Sequence, residues 1–257
     1  MIETLGHWFD LLCGPIGVLN LVDPQSLLSC GDVGWGDEIG RGLLVTVTLA
    51  LATLPLGLLM GFFVALAKQS SEPSLRLAAN IYTTIFRGLP ELLTLFLVYY
   101  GAQIGLQRLV VLLGIDMTVE INAFAAGMVA IGLVFSAYSS EVLASAFHAI
   151  PKGQYEAGDA LGITRGTTMR KVILPQLIRI ALPGLGNLWM ILLKDTALVS
   201  VIGLADILRQ TGIAARVSGE AFLFFGLACL LYLVLAVLSS FVIGGLETRF
   251  GKAEAGR

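Results

Sequence analysis

Long apolar runs, broken by short charged stretches, organise this chain. Gly42 to Ala67 contains no Asp, Glu, Lys or Arg and is long enough to cross a hydrocarbon core of about 30 Å. Leu92 to Gln107 is a shorter run, extended on its N-terminal side by an Arg-Gly-Leu-Pro-Glu stretch. Ile121 to Ser140 is a third, continued past Glu141 to Ile150. Ile180 to Leu193 is a fourth, interrupted by Lys194-Asp195 and resumed through Ala205. Ala221 to Leu246 is a fifth and again carries no charge. The pattern predicts an all-α integral membrane fold with five transmembrane helices. The first 40 residues hold Glu3, Asp10, Asp23, Asp32, Asp37 and Glu38 but no Lys or Arg. They lack the basic n-region of a secretory signal. Leu11 to Val22 includes Gly14, Pro15 and Gly17, is too short to span, and reads as an interfacial or loop segment.

Composition strengthens the membrane reading. Of 257 residues, 56% are hydrophobic and 13% charged, against about 25% charged in soluble domains. A surface with so little charge must meet lipid over much of its area. The 30 glycines point the same way, since Gly is more frequent in membrane helices than in soluble ones. A disordered chain, a nucleic-acid binder and a disulfide scaffold are excluded. The basic residues then orient the helices. With the N-terminus outside, eleven of the 16 fall in inside loops: Lys68, Arg76, Arg87, Lys152, Arg165, Arg170, Lys171, Arg179, Arg249, Lys252 and Arg257. Four fall outside, Arg41, Arg108, Arg209 and Arg216, and Lys194 lies within a span. Positively charged loops favour the cytoplasmic side, so the C-terminus is expected there.

Smaller features add less. Cys13 and Cys30 either pair, if their segment lies in an oxidising compartment, or remain two thiols, and Cys229 sits in an apolar run as a packing residue. His7 and His148 stand alone, and no metal-ligand spacing is present. Gly57-x-x-x-Gly61 is a close-approach pattern, read here as tight packing within one subunit.

The loop between the third and fourth runs carries the most specific pattern. From Pro151 to Gln176 it reads as a short helix, a Gly stop at Gly162, a second short helix capped by Thr164 and a Pro break at Pro175. Ala157, Gly158, Ala160 and Gly162 are small enough for another backbone to approach. Glu156, Asp159, Arg165, Arg170 and Lys171 offer charges for docking. Glu156-Ala157-Gly158, Gly162 after three residues, and Leu174-Pro175 further on resemble the EAA loop of ABC importer permeases. That motif is Glu-Ala-Ala, three residues, Gly, nine residues, Ile, any residue, Leu-Pro. The spacing matches throughout; Gly158 replaces the second Ala and Val172 the Ile, which weakens the helix somewhat at Gly158. The resemblance runs from about Arg41 to Phe250. It is strongest to the histidine/octopine-type branch, the permeases for polar amino acids, and there to the "Q" rather than the "M" subunit. It rests further on Arg87-Gly-Leu-Pro90, Tyr99-Tyr-Gly101, Ala137-Tyr-Ser-Ser-Glu141, Ala181-Leu-Pro-Gly-Leu-Gly-Asn187 and Lys194-Asp-Thr-Ala-Leu-Val-Ser200.

That resemblance implies a type-1 importer transmembrane fold in a bacterial inner membrane. An extracytoplasmic segment would occupy 1–40, the transmembrane domain 41–250 with its coupling loop at 151–176, and a cytoplasmic tail 251–257. Glu156, Ala157, Gly158, Gly162 and Pro175 would hold a coupling helix against an ATPase subunit. The implied partners are a second permease chain (a heterodimer, with a homodimer as the variant), two ATPase chains and an extracytoplasmic solute-binding protein. ATP and Mg would belong to the ATPase chains and no cofactor to this one. The sequence has no Gly-x-x-x-x-Gly-Lys-Ser/Thr phosphate loop. It also has no nucleophile elbow and no His-Glu-x-x-His.

Charges inside a span cost about 2.5–3.5 kcal/mol each at a helix centre and tend to face a cavity or a partner. Glu141, Lys194 and Asp195 are the candidates for a polar path, and Glu91 begins the second run just after Pro90. Glu141 and Asp195 would attract a cationic side chain. Lys194, or a helix N-terminus at a break such as Pro183-Gly184, would meet the substrate's carboxylate. The plain alternative is that each charge makes an interhelical contact. A second reading of the same hydropathy is a subunit of an ion-coupled secondary amino acid transporter, with Glu141 and Asp195 as ion sites.

Overall fold

In a computed structural model, residues 27–30, 34–115 and 117–251 are described, with the side chains of 250 and 251 excepted. The segment before Leu27 lies outside them, so the interfacial reading of Leu11 to Val22 is not addressed. Cys30 is disulfide-bonded, and Cys13 lies outside the described residues. Cys229 is an exposed free thiol rather than a packing residue.

The described chain is helical. Its elements are α1 (Gly36–Lys68), α2 (Pro73–Gly88), α3 (Glu91–Leu112), α4 (Ala123–Ala149), α5 (Gly153–Ala160), α6 (Arg165–Thr168), α7 (Leu174–Asp195), α8 (Ile207–Ser218) and α9 (Ala221–Gly251). A π-helical turn, Met169–Ile173, joins α6 to α7, and a 3₁₀ segment, Thr196–Ile202, follows α7. Five helical stretches are long and apolar enough to cross a membrane: α1, α3, α4, the continuous run Arg165–Ile202, and Ala221–Arg249 of α9.

Helix α4 is the axis of the fold. Within its apolar window 61% of residues are buried, against 6% in α3 and 11% in α9. Small residues let α1 lie parallel to it at close range. A Cβ on Gly57 would stand 2.5 Å from Phe135, and one on Gly61 would fall on Ser139 Oγ and 2.9 Å from the Ser136 carbonyl. The Gly57-x-x-x-Gly61 pattern therefore serves a contact inside this chain. Helices α3 and α7 run antiparallel to α4, and α9 runs back along α7, where a Cβ on Gly186 would meet Ile243 at 2.7 Å. Leu49, Leu95, Ile131, Phe135, Leu192 and Val199 form the central core. A second cluster, around Phe147, Ile173 and Leu177, lies toward the α5 end.

Local chemistry explains the helix ends. Asn122 caps α4, its side chain accepting from the amides of Phe124 at 2.8 Å and Ala125 at 3.2 Å, as N-cap residues do. Ahead of it, two glutamines of α3 do the work of a neighbouring strand. The Gln103 amide pairs with the backbone of Val119 and Ile121, and that of Gln107 with Met117 and Val119. Extended chain is thus strapped to α3 without a sheet. The prolines depart from expectation. Pro175 does not break the chain: the wide π turn just before it lets α6 run on into α7 although Pro lacks an amide donor. Pro183 lies within an unbroken α7, so no helix N-terminus forms at Pro183-Gly184. The break falls instead at Leu89-Pro90, between α2 and α3, where both residues are extended.

Candidate functional site

Three groups of residues stand out, beginning with the loop at the α5 end. Helix α5 stops where Gly162 takes φ +67°. The Gly162 amide donates to Asp159 O at 3.1 Å and the Ile163 amide to Gly158 O at 3.0 Å, the paired closing bonds of a glycine-ended helix. Thr164 occupies the cap position of α6, but its hydroxyl meets that of Thr167 at 2.9 Å instead of a backbone amide. Gly158 is buried against α6, where an added Cβ would stand 2.5 Å from Thr168 Oγ1. The departure from Ala at this position is thereby explained: Thr168 fills the space. Tyr155 anchors α5 to the second core cluster. Glu156, Ala157, Gly162 and Pro175 are exposed, and Leu161 projects with 76% of its surface free. Among the described residues, Glu156, Asp159, Arg165, Arg170 and Lys171 form no ion pair. The loop presents one apolar knob ringed by unpaired charges.

The second group lies at the helix break. Glu91, the first residue of α3, and Asp195, the last of α7, come together at the inner wall of the break. They line one small cavity, walled otherwise by Leu95, Ala130, Ile131, Val134 and Leu198. Like charges in an apolar-walled space repel by about 4 kcal/mol at 4 Å and an effective dielectric of 20. A cation placed between them turns that repulsion into attraction. Lys194 is exposed on the adjacent position of α7. Sequence reasoning named both residues among the charges within the spans but took Asp195 alone for the path and did not pair the two. The legible signal was Glu91 directly after a proline in an apolar run.

Glu141 stands apart from this pair. Its Oε1 accepts from Lys68 Nζ at 2.6 Å and Arg87 Nη1 at 2.8 Å. The Arg87 guanidinium also lies 5.5 Å from the centre of the Tyr138 ring. Glu141 lines a recess with Val142, Ser145, Ile180 and Gly184. The two acidic residues expected to share a path thus sit in different surroundings, one against a carboxyl and one against two cations.

A fourth carboxyl, not anticipated, is fully buried where α1 meets α8. Asp206 caps α8, with one oxygen accepting from the Arg209 amide at 2.9 Å. Its other oxygen has no hydrogen-bond partner. Burial pushes the carboxyl up to about 6.

A family model described as "binding-protein-dependent transport system inner membrane component" matches residues 43–252. The chain belongs to that family. The nopaline transport system permease protein NocQ of Agrobacterium fabrum is 40% identical over 216 residues, covering 84% of this chain and 92% of that protein. The histidine/lysine/arginine/ornithine transport system permease protein HisQ of Salmonella typhimurium is 40% identical over 217 residues, covering 84% and 95%. A solved structure, described as an amino acid ABC transporter with histidines, aligns with TM-score 0.70 and 35% identity over 84% of this chain and 95% of that one. The protein is a multi-pass inner-membrane permease of the ABC type. ATP belongs to the partner ATPase subunits of such transporters, and the ion-coupled alternative finds no support.

Proposed function

We propose that this chain forms half of the translocation path of an ATP-driven importer for cationic amino acids: arginine, histidine, lysine, ornithine or their opine conjugates. The observation that carries the substrate class is that two acidic residues, Glu91 and Asp195, line one apolar-walled cavity at a helix break. Broken helices mark substrate sites in many transporters because an interrupted backbone and its charges are tolerated only beside a cavity. The substrate's side-chain cation sits between the two carboxylates, and Lys194 is the cation available to its α-carboxylate. The named substrates of the HisQ and NocQ relatives fit that chemistry.

In this reading the N-terminal end faces outward and the α5 loop faces the cytoplasm, as the distribution of basic residues favours. A second permease chain, homologous or identical, completes the path against the sparsely buried α3. Two ATPase chains bind below and a solute-binding protein delivers from above. Glu156, Ala157, Gly158, Gly162 and Pro175 shape a coupling helix, with Leu161 as its apolar contact. The chain's own work is mechanical: α5 moves with the ATPase, and α4 and α7 carry that motion to the cavity as rigid bodies.

Reconstituted vesicles holding ATP inside and offered a panel of amino acids test this. Saturable uptake of cationic amino acids in preference to neutral ones is expected, with at least tenfold loss in Glu91→Gln and in Asp195→Asn. Uptake driven by a proton gradient without ATP, or cationic preference unchanged in both variants, would overturn it.

A further inference from the structure

Helix α2 buries little of itself. Only Ala79 and Thr83 are fully covered, so apolar packing alone does not fix where it sits. Polar contacts to α4 do so instead, at two heights. The Tyr82 hydroxyl donates to Leu133 O at 3.1 Å and lies 2.6 Å from Ser136 Oγ. Further along, Arg87 in the last turn of α2 reaches Glu141 and stacks on Tyr138. The same Glu141 oxygen takes Lys68, the last residue of α1, whose side chain is 12% exposed. One carboxylate therefore ties the C-terminal ends of two helices to α4, two turns before α4 gives way to the α5 loop. Three residues beyond Arg87 the break ends, and α3 begins with Glu91. Tyr82 holds the middle of α2, and the Arg87–Glu141 joint, at the end nearest the break, bears on where α3 starts and hence on where Glu91 stands relative to Asp195.

We infer that Glu141 is a positioning residue: through Arg87 it links movement at the α5 end of α4 to the Glu91–Asp195 cavity. Its engagement by two cations, both at Oε1, suits this role better than direct contact with a cationic substrate. The inference rests on the ATP-driven reading above. Two physical reasons make the joint a transmitter. Its bonds are short and charge-assisted, so the ends move together. The non-helical dihedrals at Leu89 and Pro90 interrupt the helix there, the Leu89 amide bonding back into α2 and the Pro90 carbonyl forward into α3, so α2 and α3 turn as separate rods about this point.

The test uses the complete transporter in vesicles, with Glu141→Gln, Arg87→Gln and the double variant, and measures substrate carried per ATP hydrolysed. Each single variant is expected to lower that ratio at least tenfold, with hydrolysis within twofold of wild type and substrate KM within threefold. The double variant should be no worse than either single one, since both break one joint. An unchanged ratio, additive losses, or transport and hydrolysis falling in proportion would overturn the inference. If Glu141→Gln does not assemble, Arg87→Gln decides, because its side chain is 44% exposed and contributes less to folding. Wild-type protein that takes up no cationic amino acid with ATP would instead refute the functional reading itself. Normal wild-type uptake with unchanged ratios in the variants refutes only the joint.

Discussion

Gly158→Ala would restore the residue usual at this position of the EAA motif, yet the structure predicts that it harms the loop. The new methyl carbon would lie 2.5 Å from Thr168 Oγ1, 2.8 Å from its Cγ2 and 3.2 Å from its Cβ. Overpacking of this kind costs typically about 1–3 kcal/mol. Alanine's helix propensity returns about 1 kcal/mol, leaving a net loss of about 1 kcal/mol and at most about 2. Thr168→Ala removes the two nearest atoms. The Thr168 hydroxyl is buried without a hydrogen-bond partner, so losing it forfeits no bond and should be close to neutral. The double variant should then regain the propensity and match or slightly exceed wild type. Amide exchange over residues 153–163, followed by mass spectrometry in detergent, reads this directly. Gly158→Ala should exchange roughly fivefold faster for a 1 kcal/mol loss, and Gly158→Ala/Thr168→Ala should return to wild-type protection. Equal protection in Gly158→Ala and wild type, or no recovery in the double variant, would refute the assignment of this glycine to α5–α6 packing.

Asp206→Asn keeps an N-cap acceptor and removes a buried charge. A carboxyl raised from 3.8 to about 6 opposes folding only once ionised. Its cost is absent below pH 4, grows as pH rises toward 6, and is about 3 kcal/mol above that. The variant should therefore melt higher than wild type at pH 7.5 and equally at pH 4; identical pH slopes in thermal unfolding would sink this. Gly61→Ala should prevent stable folding, at a cost of about 3 kcal/mol or more, and Ser139→Ala should not rescue it because the Ser136 carbonyl still stands 2.9 Å from the new carbon. Expression with normal thermal stability in detergent would contradict the α1–α4 contact. Gln103→Ala and Gln107→Ala should each loosen residues 117–121 by about 1 kcal/mol per lost hydrogen bond, seen as proteolytic nicking there with the helices intact; unchanged resistance would argue against the glutamine strap.

Much of the fold was written in the order of residues. Charge-free runs marked the spans, because an unpaired charge in hydrocarbon is costly wherever the chain goes. The α5 loop was legible for the same local reason: Gly162 ends a helix through its own backbone freedom. The prolines misled because a local rule met a non-local answer. Pro175 was absorbed by a π turn and Pro183 by a helix packed along its length, while the true break fell at Leu89-Pro90.

The sequence by itself determined that five helices cross a membrane, that one loop resembles a docking motif, and that a few charges must find partners. Both the periodicity of apolar residues and the chemistry of a glycine stop act within a few residues of chain. Only the tertiary structure decided which partners those charges took: Asp195 meets Glu91, Glu141 meets Lys68 and Arg87, and Asp206 is buried where α1 meets α8. Such pairings depend on how closely helices approach, which Gly57 and Gly61 set where α1 meets α4, through contacts with Phe135, Ser136 and Ser139. Distance in space, not in sequence, fixes an electrostatic energy, so the roles of these charges became readable only once the helices were packed.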